Sequence, residues 1–129
     1  MTPGDHAELR RRFEEPDLAA LAALAGGHVH GGTVPRALIA AMISRLLGVD
    51  LPGPGTNYLK QSLRFHAEAP LGTPLVARVE ITRLRPEKRL VDLRATCVTE
   101  AGALICDGRA LVLVPGLAEP GRLPPLHAD

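Results

Sequence analysis

The residues best suited to chemistry lie in Gly26-Gly27-His28-Val29-His30-Gly31-Gly32, two imidazoles two positions apart, flanked by glycines and followed by an apolar run. Histidine titrates near neutrality and can take or give a proton. Glycine-rich backbone ahead of a helix can aim N–H groups at a carbonyl oxygen that gains charge in a reaction. His28 and His30 are therefore candidate general bases, with Gly31 and Gly32 as candidate oxyanion donors; the alternative is a pair of ordinary turn histidines. No metal site is expected, because no third Cys, His, Asp or Glu stands at a supporting spacing. No other cofactor is expected.

Two helices should hold this segment. Glu15-Pro16-Asp17 suits a helix start, with Pro16 at an early position and Asp17 at the positive end of the dipole. The run Leu18 to Leu24 follows, and Gly26-Gly27 ends it. A second helix is expected to begin at Pro35, run through Ala37 to Leu47 and stop at Gly48, with Leu38, Ala41, Met42 and Leu46 at helical spacing. It is apolar over most of its surface and should be wrapped by something. Arg36 opposes the dipole at the helix start, which points either to an anionic partner or to simple solvation.

Leu51-Pro52-Gly53-Pro54-Gly55 then forms an elbow into an extended segment. From Thr56 the alternation puts Leu59, Gln61, Leu63 and Phe65 on one face and Tyr58, Lys60, Ser62 and Arg64 on the other. Gln61 is the one amide in an apolar row, so it either satisfies a buried backbone group or lines a ligand slot.

The C-terminal half reads as four strands: Thr56 to His66, Pro74 to Leu84, Arg89 to Thr99 and Ala103 to Val114. A two-residue loop at Ala101-Gly102 would set Cys97 opposite Cys106, Ala95 opposite Gly108, Leu93 opposite Ala110 and Val91 opposite Val112. That face is apolar or small, whereas Asp92, Arg94, Thr96, Asp107 and Arg109 fall on the other. The small residues would let the sheet curve closely round a helix. Residues 1–115 form one expected domain, and 116–129, rich in Pro and Gly, read as a flexible tail.

With 129 residues the chain suffices for one core. A formal charge of +1 and three aromatic residues, Phe13, Tyr58 and Phe65, argue against nucleic-acid binding. No stretch is apolar enough for a membrane span and the first 15 residues contain no hydrophobic signal, so a cytoplasmic protein is expected. In that compartment Cys97 and Cys106 should be thiols. Of the 15 basic residues only Lys60 and Lys88 are lysines; arginine suits phosphate contacts, and a codon bias would give the same excess.

The order of helix, elbow and antiparallel strands is similar to the hotdog fold, an α+β architecture in which a curved sheet wraps one helix. Within it the chain resembles the MaoC-like (R)-specific enoyl-CoA hydratases. The resemblance rests on Leu51-Pro52-Gly53-Pro54-Gly55, Tyr58-Leu59-Lys60-Gln61-Ser62-Leu63-Arg64-Phe65, Leu71-Gly72, Ala77-Arg78-Val79-Glu80 and Gly108-Arg109-Ala110, and covers about residues 33–114. Arg12-Phe13 through Leu24 also looks like that family's leading helix.

The resemblance implies an enoyl-CoA hydratase or 3-hydroxyacyl dehydratase acting on an acyl-CoA or acyl carrier protein thioester, and at least a homodimer. It also implies acyl or CoA contacts from Arg36, Leu38, Met42, Tyr58, Gln61 and Ser62. The family's Asp-x-Asn-Pro-x-His segment has no counterpart after the leading helix; Asp5-His6-Ala7-Glu8-Leu9-Arg10 keeps its Asp only, and ahead of that helix. The family's His-Gly pair, whose glycine N–H polarises the thioester carbonyl, falls on Pro35-Arg36 when the helix ends are matched, or on His30-Gly31 if five residues are extra. His30-Gly31-Gly32 also looks like the turn of hotdog acyl-CoA thioesterases, whose carboxylate is missing from Ala37 to Ala41. Hydrolysis, and acyl-CoA binding without turnover, stay open as alternatives.

Overall fold

The structure is a computed structural model that describes residues 1–25 and 32–117. Its elements in chain order are β1 (His6–Arg11), α1 (Glu15–Ala25), α2 (Arg36–Arg45), a π-helical turn (Leu46–Asp50), β2 (Asn57–Phe65), β3 (Leu75–Arg85), a short 3-10 turn (Pro86–Lys88), β4 (Leu90–Thr99) and β5 (Leu104–Leu113). The strands form one antiparallel sheet ordered β1-β3-β4-β5-β2. Central helix and curved sheet make a hotdog fold, as the sequence led us to expect.

Local chemistry accounts for the helix limits. The Asp17 carboxylate accepts the Glu14 N–H at 2.7 Å while the Asp17 N–H donates to the Glu14 carbonyl at 2.9 Å, one half of a capping box. α2 starts where Pro35 fixes φ at −58° and ends in the wider turn that leads to the elbow. There the Leu51 N–H donates to Leu46 and the Gly53 N–H to Leu47, at 2.8 and 3.0 Å. Gly53 has φ +95°, a backbone setting that glycine adopts without a Cβ penalty.

The buried stripe of α2 is Ile39, Met42 and Ile43, continued by Leu46 and Leu47 in the next turn. It is rotated from the expected stripe: Leu38 is half-buried and Ala41 exposed. A helix apolar almost all round does not choose its own phase, so the sheet chooses it. These residues meet Leu75, Ala77, Val79 and Ile81 of β3, Val91, Leu93, Ala95 and Cys97 of β4, and Ile105, Cys106, Ala110 and Val112 of β5 in one core. Both cysteines are reduced thiols; burial pushes Cys97 up to about 12 and Cys106 to about 11.

Two expectations are corrected. His6–Arg11, expected as helix or turn, is an edge strand paired with β3; its polar residues outnumber the inward Ala7 and Leu9, so alternation is faint. The β4–β5 loop has three residues, Glu100-Ala101-Gly102, closed by the Thr99 N–H to Ala103 at 2.9 Å, with Gly102 at φ +95°. A bulge at Ile105 then restores the register, so Cys97 faces Cys106 and Val91 faces Val112 as read from the sequence. Because of that bulge Ile105 and Cys106 are both buried.

The turn after β5 folds back, with the Leu117 N–H on the Val114 carbonyl at 2.9 Å and Leu117 against the core. The remainder of the expected tail, residues 118–129, lies outside the described residues.

Candidate active site

α2 and β2 approach each other at their ends. At the start of α2 the Arg36 guanidinium lies over the Phe65 ring, 4.8 Å from its centroid, a cation–π contact. Anion binding and simple solvation were the two expectations for Arg36; the structure adds an aromatic partner. At the far end the Tyr58 phenol sits beside Ser44; burial pushes its pKa up and the Ser44 hydroxyl opposes that shift. Arg36, Ala40 and Ser44 form one stripe of the helix, so the wall between the two bridges is a methyl group. Facing it, β2 contributes Gln61 and Leu63, whose register partners are Ala110 and Gly108. The outcome is a seam, spanned by long side chains at its ends, with a small helix residue opposite Gln61 and Leu63 between.

Tyr58 reaches this seam through a bulge. It pairs with the inward residue Val112, and Lys60 pairs with Leu111, leaving Leu59 between them unpaired and 53% exposed. The strict alternation expected from Thr56 therefore fails at this point: Tyr58 turns inward and Leu59 drops out of the apolar row. Gln61, Leu63 and Phe65 hold the inward row as expected. Gln61 Nε2 is buried with no hydrogen-bond partner among the described residues, a donor available to an oxygen of something placed in the seam.

The helix end supplies further donors. The Leu38 N–H closes onto the Pro35 carbonyl at 3.0 Å, while the N–H groups of Arg36 and Ala37 belong to the first turn, which has no intrahelical acceptors. The segment ahead is pinned beside the loop after β2: Val34 N–H donates to Ala69 at 2.8 Å, Leu71 N–H donates to Gly32 at 3.2 Å, and Thr33 bridges to Pro70. The chain thus arrives at the α2 terminus alongside Ala69 to Leu71.

Of the candidate residues, His28, His30 and Gly31 lie outside the described residues. Gly32 sits at the start of the pinned segment, with φ +92°. Arg36, Tyr58 and Gln61 come together along the seam. Leu38 packs half-buried beside the core, Met42 is buried in it, and Ser62 lies on the opposite, outer face of β2.

A histidine–carboxylate pair that sequence reading missed also lies on the outer face. His66 Nε2 is 2.8 Å from Asp107 Oδ1, and this contact is the main cause that lowers the Asp107 carboxyl below its ordinary value. The pairing of Arg64 with Asp107 brings the two together; the register of β2 on β5 was the missing information. It is turned away from the seam.

Comparison with known proteins decides the family. No family model matches the chain. An (R)-specific enoyl-CoA hydratase of Aeromonas caviae is 35% identical over 131 residues, taking in 87% of this chain and 94% of the relative. The chain belongs to the (R)-specific enoyl-CoA hydratase family. A hydratase of the same name from Rhodospirillum rubrum is 47% identical over 78 residues, 60% of this chain; the match spans 54% of that relative. Among solved structures, an (R)-hydratase of A. caviae involved in PHA biosynthesis has a TM-score of 0.83 at 34% identity, over 89% of this chain and 98% of its own. The unliganded R-hydratase of Pseudomonas aeruginosa also reaches 0.83, at 29% identity, over 100% of this chain and 94% of its own. Among the described residues no helix of this hydratase-family chain is long and apolar enough to cross a membrane.

Proposed function

We propose that this hydratase-family chain adds water to 2-enoyl thioesters and catalyses the reverse dehydration of 3-hydroxyacyl thioesters, carried on CoA or acyl carrier protein. The observation that carries the proposal is 35% identity to the A. caviae hydratase across 94% of its length. The acyl chain occupies the α2–β2 seam, where small helix residues leave room and Gln61 offers a donor without a partner. His28 or His30 takes a proton from water as the oxygen adds to C3, and a proton is delivered to C2. The N–H groups of Gly31 and Gly32, with those at the α2 terminus, stabilise the charge that gathers on the thioester oxygen. Arg36, Tyr58 and Gln61 position the acyl group or the CoA arm.

The protein acts at least as a homodimer. β2 is an edge strand of the monomer, and its Tyr58 and Leu59 are 40% and 53% exposed; an uncovered apolar edge favours pairing with another chain. Light scattering on the purified chain tests this: a monomer at micromolar concentration overturns it.

The activity test uses crotonyl-CoA and a saturated acyl-CoA of similar length. Hydration predicts loss of the enoyl absorbance and a 3-hydroxyacyl product, no release of CoA from the saturated compound, and a fall in kcat of at least a hundredfold in His28→Ala or His30→Ala. Release of free CoA points instead to hydrolysis. Tight binding with no turnover points to an acyl-CoA-binding protein.

A further inference from the structure

The face of the sheet turned away from α2 carries a cluster of arginines. A bulge at Thr82 shifts the β3–β4 pairing, so Thr82 and Arg83 are both exposed; the Thr82 hydroxyl donates to the Asp92 carbonyl at 3.2 Å. Arg83 and Arg85 then stand on the outer face with Arg94 of β4, Arg109 of β5 and Arg64 of β2. Arg94 and Arg109 are direct cross-strand partners, a like-charge arrangement that costs stability on its own. Arg64 pairs with Asp107, one diagonal step from Arg109. Against these five arginines stand Asp92 and Asp107 in the trough lining, five positive charges against two, or +3, in a chain whose total is +1; Glu80, opposite Arg94 on the other side, is taken by Arg78.

The carboxylates do not neutralise the group. Asp92 is held by Arg85 at 2.9 Å, and Asp107 is taken by His66 at 2.8 Å with Arg94 at 4.0 Å. Among the described residues Arg64, Arg83 and Arg109 have no carboxylate within 4.0 Å. Arg78, further along β3, is matched by Glu80 at 2.7 Å and Glu8 at 3.4 Å. The uncompensated cations surround a trough of about 820 Å³.

We propose that this trough binds a compact organic polyphosphate of nucleotide size. Guanidinium groups grip phosphate through paired N–H donors, and a ligand carrying several phosphates relieves the Arg94–Arg109 opposition. The volume falls in the ~300–1,000 Å³ range of small-molecule sites. Four strands about 4.8 Å apart make the trough ~14 Å wide. The site lies across the sheet from the seam, so it stands independently of the hydratase reading.

The test is calorimetric titration of the full chain with ATP and with inorganic tripolyphosphate, at low and at physiological salt. The expected result is saturable one-to-one binding, weakened by salt, with the dissociation constant at least tenfold higher in an Arg94→Glu/Arg109→Glu variant and unchanged in Arg12→Glu, an exposed site elsewhere. If circular dichroism shows the glutamate variant to be misfolded, Arg94→Gln/Arg109→Gln replaces it. Absence of saturable binding, or equal binding by the double variant, overturns the site. So does a rise in KM for crotonyl-CoA in step with the loss of ATP binding, which would assign the trough to the substrate's own nucleotide.

Discussion

The Arg36 guanidinium stacks on the ring of Phe65, 4.8 Å from its centroid, and so ties the first turn of α2 to the last residue of β2. The contact closes one end of the seam with a group that cannot lose its charge. Removing either partner should cost about 0.5–1 kcal/mol. A double-mutant cycle with Arg36→Ala and Phe65→Leu in urea denaturation measures it; zero coupling between the two changes would mean that the stacking contributes nothing.

Gly108 lies where β2 passes close to β5. A Cβ there would run into the Ser62 carbonyl oxygen and stand 2.9 Å from the Leu63 Cα, both backbone atoms. Its smallness makes room for the neighbouring strand. Gly108→Ala should destabilise by ~1–3 kcal/mol, the usual cost of overpacking, and should speed hydrogen exchange at β2 amides more than at β3 amides. Uniform exchange across both strands would count against a local clash.

Gln61 carries a buried amide nitrogen without a partner among the described residues. Such a group costs about 1–3 kcal/mol in desolvation, so Gln61→Leu should leave stability unchanged or raise it, while lowering kcat/KM for an enoyl thioester. A loss of stability would show that the amide is satisfied in the folded protein and serves structure.

The Asp107 carboxyl sits below its ordinary value, chiefly because His66 bonds it, with Arg94 and Arg64 adding their charge. A carboxyl lowered in the folded state stabilises above the usual carboxylate range, and the contribution disappears as pH falls through the native value. Titration of this carboxyl by NMR should therefore show it rising toward the ordinary value in His66→Ala. An unchanged titration would mean that the two arginines hold it down alone.

Much of the architecture was legible in the chain. The Leu-Pro-Gly elbow, the four C-terminal strands and the pairing of Cys97 with Cys106 follow from turn residues and a two-residue period, which act over a few positions and need no knowledge of the rest. The seam was legible in part: Gln61 and Phe65 could be placed on the inner face by counting, Tyr58 could not. The His66–Asp107 contact and the five-arginine face depend on which strands are neighbours and in what register, and β2 neighbours the last strand rather than the next one.

The sequence by itself determined which segments extend, which coil and where the glycines and prolines turn them, because those preferences are local to each residue. Only the tertiary structure decided the phase of α2, the pairing of β1 and the three bulges, at Leu59, Thr82 and Ile105. A bulge is one extra residue accepted where twisted neighbouring strands fit better for it, and no side-chain type announces it. Those single residues turn Tyr58 into the seam, set Ile105 and Cys106 together in the core and place Arg83 with Arg94 and Arg109.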